Sequence, residues 1–182
     1  MKNKSHFFES AGVAFLFMIV LAVAAPAQTV TLGQASAAKG ETADVEITID
    51  APDLAAAVLL RLEFDPEVLE APQVLAGPLM EAGHTLDTYS PEPGRFNIFI
   101  GDLTDNSPFT AQSGVVAIIR FTVKADAQAE YSDVTLTSGG TPTQPVSGLL
   151  SESGFYYYDH TVTGGRVLVG QVTGAEGWEE YK

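Results

Sequence analysis

The 182-residue sequence has no cysteine, so the fold is held by packing without disulfides. An N-terminal lipid anchor of the kind carried on a cysteine is excluded with it. Cations are scarce: nine Lys and Arg stand against 23 Asp and Glu, a formal charge of −14. Nucleic acid is a poor partner for such a chain, because phosphate contacts need Lys and Arg, and an anionic membrane surface is equally poor. There are only three histidines, and neither an HExxH helix nor a Gly-x-Ser-x-Gly elbow occurs. Acidic residues are plentiful, but spacing along a chain does not show two carboxylates facing one scissile bond. No catalytic group, resident metal or cofactor is expected. The longest apolar run, Val13 to Ala25, has 13 residues, short of the roughly 20 that a spanning helix requires.

That run has the form of a secretion signal. Lys2 and Lys4 precede it, and Ala25-Pro26-Ala27 offers small residues at the cleavage positions. Cleavage after Ala27 would leave 155 residues, with seven basic against 22 acidic once Lys2, Lys4 and Glu9 are lost. That length suits one domain. The divisions expected are 1–27 as signal peptide, 28–170 as the domain and 171–182 as a polar tail of disordered composition. The mature protein is expected outside the cytoplasm, extracellular or periplasmic, with no membrane association after cleavage.

Sustained helical periodicity is missing. Short alternating apolar runs are instead separated by Gly, Pro, Asp and Asn, which predicts an all-β sandwich or barrel. Nine strands are read: 29–32, 43–50, 55–64, a short one at 74–75, a hairpin of 85–90 and 95–101 around Pro91-Glu92-Pro93-Gly94, then 115–123, 133–137 and 165–169. Alternation places Val45, Ile47, Val58, Leu60, Leu62, Phe64, Phe96, Ile98, Ile100, Ile118 and Val167 in the core. The run 115–123 is apolar on both faces and reads as a central strand. Segment 138–160, rich in Gly, Pro and Ser, is longer than an ordinary connection and reads as an elaboration.

Four pieces in this order resemble the landmarks of bacterial cellulosome-type cohesin modules. They are Leu54–Gly77 with its turn Phe64-Asp65-Pro66-Glu67-Val68-Leu69, the hairpin strand PGRFNIFIGD (93–102), SGVVAIIRFTVKADA (113–127) and GGRVLVG (164–170). The resemblance implies a nine-stranded jelly-roll β-sandwich, an architecture shared with a class of carbohydrate-binding modules. It implies a non-catalytic recognition role, with a calcium-loaded dockerin module as partner in polysaccharide-degrading or surface assemblies. It also implies that the partner meets the sheet built from the third, fifth, sixth and eighth strands.

On the third strand the outward residues are Ala57, Leu59, Arg61 and Glu63. The best-known members of the family carry Asn and Asp near the positions of Ala57 and Leu59, so this face is the more apolar. On the sixth strand Asn97 and Phe99 point outward, and Thr135 and Thr137 stand at the edge. A one-residue slip would exchange the two faces. An outward Phe beside an outward Leu makes an apolar patch of the kind that marks interaction surfaces. Asp102, Asp105 and Asn106 offer hard oxygens for calcium, although Asp and Asn are also ordinary turn residues. Tyr156, Tyr157 and Tyr158 supply the alternative: a carbohydrate-binding module that stacks sugar rings, with polysaccharide as its partner.

Overall fold

The computed structural model describes residues 28–170 except 52–53, 103, 106, 138–139, 142–143, 146–147, 152–155 and 158–159. The signal sequence and the tail read above lie outside the described residues. The strands, in chain order, are β1 (Gln28–Leu32), β2 (Gln34–Ala37), β3 (Thr42–Asp50), β4 (Ala55–Glu63), β5 (Gln73–Ala76), β6 (Thr85–Glu92), β7 (Arg95–Gly101), β8 (Ser113–Thr122), β9 (Tyr131–Leu136), β10 (Gly140–Thr141), β11 (Gln144–Pro145), β12 (Gly148–Ser151), β13 (Tyr156–Tyr157), β14 (His160–Thr163) and β15 (Gly165–Val169). All nine strands read from the sequence are among them.

Two sheets face one another as a sandwich. One runs β14-β1-β3-β8-β5; the other runs β13-β12-β4-β9-β15-β2, with β7 and then β6 added on the free side of β4. Alternation explains the layer between them. Val45, Ile47 and Ile49 of β3 are fully buried, as are Val58, Leu60 and Leu62 of β4 and Ile98 and Ile100 of β7. Phe64 meets Phe121 edge-on, with ring centroids 5.3 Å apart, an arrangement that the ring quadrupoles favour. The β6–β7 turn closes on Gly94, whose φ of +80° suits glycine. Its carbonyl accepts the Phe64 N–H, so the turn is pinned to the end of β4.

Three expectations are corrected. A further strand, β2, follows the first: the Gly33 N–H donates to the Glu46 carbonyl, and the chain passes there from the β3 sheet to the β15 sheet. Gln34–Ala37 has too little apolar signal to show as a strand. In β8 the core residue is Ile119, not Ile118. The pairing of β3 with β8 jumps from Ile47↔Ala117 to Thr48↔Val115, so Val116 is an extra, bulged residue. A bulge shifts the alternation by one; Ala117, Ile119 and Phe121 are buried while Ile118 is half-exposed. Segment 138–160 is also more than an elaboration. Its β12 pairs with the first half of β4, and Leu149 is completely buried in the core.

Candidate partner-binding face

Strand register fixes which side chains share the outer face of the β4 sheet. Ladder partners lie side by side on one face. Across β6, β7 and β4 the rows are Thr85–Gly101–Ala57, Asp87–Phe99–Leu59 and Tyr89–Asn97–Arg61, and Arg95 stands beside Glu63. On the far side of β4, Thr135 stands opposite Glu63, and the Thr137 N–H donates to the Arg61 carbonyl. All eight residues expected on this face are therefore brought together on it. Leu59, Asn97, Phe99 and Thr137 are half-buried, and Arg61 and Thr135 are exposed.

Ala57 is the correction. It has the outward parity but is only 4% exposed. In the ladder it is paired with Gly101 on β7 and with Leu150 on β12. A Cβ on Gly101 would come within 2.5 Å of the Ala57 Cβ, so the two strands meet there with no room for a larger residue. Ala57 shapes the floor of the face and presents little surface to a partner.

Sequence reasoning missed two members of the face. Tyr89 (64% exposed) and Tyr131 (47% exposed) are the exposed large hydrophobic residues among the described ones. Tyr89 lies on this face through its pairing with Asn97. Tyr131 shares the parity of Asp133 and Thr135 on β9. On β6 alternation gives no parity signal, because seven of its eight residues are exposed; only the pairing across the hairpin reveals which way Tyr89 points.

Charges on the face are mostly paired. Arg95 bridges Glu63 at 3.1 Å and Glu92 at 2.5 Å. Arg166 bridges Asp133 at 2.6 Å and stacks over the Tyr131 ring at 4.2 Å; hydrogen bonding to the Asp133 carboxylate raises its pKa further. Asp87 is exposed in the row of Leu59 and Phe99. The Asn97 Oδ1 is buried without a hydrogen-bond partner in the row it shares with Tyr89 and Arg61, a position that costs energy until a donor reaches it.

The loop after β7 is organised by Asp102. Its Oδ1 accepts the backbone N–H groups of Thr104 at 2.8 Å and Asp105 at 3.2 Å. Those bonds, with one from the Ser107 hydroxyl, hold its pKa down to about 2. Asp102 thus acts as a turn former, and among the described residues no group of three or more His, Cys, Asp or Glu could hold a metal ion; Asn106 lies outside the described residues. His84 ties this loop to the preceding one. Its Nδ1 accepts the Glu81 N–H and its Nε2 donates to the Ser107 carbonyl, both at 2.9 Å, with its ring stacked on buried Phe109. Tyr156 and Tyr157 form β13, paired with β12; their side chains, and all of Tyr158, lie outside the described residues.

Comparison with known proteins agrees with this architecture. The sixth cohesin of scaffoldin B from Acetivibrio cellulolyticus, solved with a mutant Cel5 dockerin, is 16% identical with a TM-score of 0.66, over 79% of this chain and 99% of that one. The seventh ScaB type I cohesin of Pseudobacteroides cellulosolvens is 20% identical with a TM-score of 0.63, over 83% and 97%. A non-cellulosomal cohesin from the archaeon Archaeoglobus fulgidus is 20% identical with a TM-score of 0.62, over 80% and 92%. At these identities the likeness is one of fold. Among curated proteins none matches the sequence significantly. The family profile described as "Cohesin domain" matches residues 28–149, two-thirds of the sequence, and the chain belongs to the cohesin domain family.

Proposed function

We propose that this chain is an exported, non-catalytic recognition module that binds a dockerin-type partner through the outer face of β6, β7, β4 and β9. The observation that carries the reading is the cross-strand pair Leu59–Phe99 in the middle of that face, with exposed Tyr89 beside it. Apolar and aromatic groups gathered on one flat sheet face favour a protein partner, since aromatic anchors inside a polar rim dominate interface energetics. The paired charges of Arg95, Glu63 and Glu92 form such a rim. Membership of the cohesin family and solved relatives in complex with dockerins support the class of partner. Calcium, on this reading, belongs to the partner.

Titration calorimetry of the mature protein against dockerin modules from the same genome, with calcium and with chelator, tests the proposal. Calcium-dependent binding that is lost on substituting the face supports it. Failure of every such module to bind overturns it.

A further inference from the structure

The sheet begins where the export signal is read to end. A cut after Ala27 makes Gln28 the first residue of the mature chain, and Gln28 is also the first residue of β1. No spacer separates the cut from the strand. β1 lies between β14 and β3, with Gln28 paired to His160 and Thr29 to Asp50. Proteolysis needs exposed chain around the bond that is cut, and a strand held on both sides offers none. The cut therefore precedes the docking of β1. At that moment the α-amine and the side-chain amide of Gln28 are both free, on the same residue, in an unfolded segment.

Folding then gives the open form of this residue a poor environment. Gln28 has the inward parity of Val30 and Leu32, which are buried, and is itself 6% exposed. Its Oε1 is buried without a hydrogen-bond partner, so the carboxamide loses water there without replacing it. A free α-ammonium would add a charge to the same residue, and a charge taken from water without a partner is costly. Asp50, the carboxylate on the neighbouring strand, stands opposite Thr29 and is exposed, on the outward side of the ladder.

We infer that Gln28 is a modification site: as the new N-terminus it closes on itself to a pyroglutamyl ring. The α-amino nitrogen attacks the side-chain Cδ, the bond from Cδ to Nε2 breaks, and Nε2 leaves as ammonia with a proton from the attacking nitrogen. The product is a five-membered lactam that keeps one N–H and one carbonyl. The step is a transamidation within one residue and needs no oxidant, reductant or second substrate. It removes both the charge and the free amide NH2 group from the start of β1. It also leaves a mature chain with no free α-amine for an aminopeptidase to grip.

This inference rests on the export reading above, with the cut after Ala27, and the test separates the two. The protein is exported by a bacterial host under its own signal, and its intact mass is measured beside N-terminal Edman sequencing. The expected mass is that of residues 28–182 less one ammonia. Sequencing should be blocked, and pyroglutamyl aminopeptidase acting on the denatured chain should release the block and let it read from Thr29. Gln28→Asn, whose side chain is one carbon too short to close the same ring, should sequence from its first residue with no ammonia lost. A mass of residues 28–182 with an open amine keeps the export reading and overturns the inference. A different N-terminus, or an uncut chain, overturns the cut after Ala27 and the inference with it. A block that persists in Gln28→Asn assigns the modification to another group and overturns the role of Gln28.

Discussion

Leu59 on β4 and Phe99 on β7 are direct cross-strand partners on the outer face of their sheet, while their chain neighbours Leu60 and Ile98, partners one step on, are fully buried beneath it. One ladder thus serves both the core and the proposed binding face. Side chains two apart share a face, so changes at Leu59 and Phe99 can be made without opening the core.

Leu59→Asp combined with Phe99→Asp should abolish dockerin binding while the protein still melts cooperatively. Tyr89→Ala alone should weaken binding by about 2 kcal/mol, roughly 30-fold, as expected of a central aromatic anchor. Calorimetry on the purified variants measures both. Unchanged affinity in the double variant would remove the face from the interaction.

Truncating the neighbouring pair Arg61 and Leu62 separates face from core. Leu62 is completely buried, and Leu62→Ala should cost about 2–5 kcal/mol. Arg61 is exposed, and Arg61→Ala should cost under about 1 kcal/mol. Urea denaturation gives both values, and the reverse order would invert the register of β4.

The bulge at Val116 makes a prediction that simple alternation along β8 reverses. Ile119 is fully buried and Ile118 is half-exposed. Ile119→Ala should lose several kcal/mol, in the range of about 2–5, and Ile118→Ala distinctly less. Equal losses would contradict the bulge.

Asp102 couples loop order to acid. Its carboxylate, held at about pKa 2 by backbone N–H donors against an ordinary value of 3.8, favours the folded state once it is ionised. The stabilisation is complete above about pH 4 and is lost as pH falls toward 2, because the unfolded chain takes up the proton first. Asp102→Asn should therefore lower stability at neutral pH, and its difference from the parent protein should shrink below pH 4. A difference that stays constant from pH 7 to pH 2 would show that the charge of Asp102 plays no part. Thermal melts across that range provide the test.

Much of this was legible in the residue order, because the underlying rule is local. A strand's period of two marks Val45, Ile47, Ile49 and Leu60, Leu62 as inward whatever they pack against, and Asp65-Pro66 and Pro93-Gly94 end strands through their own backbone limits. The same rule put Leu59, Arg61, Asn97 and Phe99 on one face, and the spacing of four motifs pointed to the cohesin family. What escaped depends on neighbours distant in the chain. Ala57 is covered because β7 closes on it at Gly101. Ile118 turns outward because β8 accommodates one more residue than β3. Tyr89 joins the face because the β6–β7 register sets it opposite Asn97, and Leu149 enters the core because β12 aligns with β4. Periodicity along one strand carries no information about the length, bulges or coverage contributed by its partners, and those are set when the two sheets close on each other.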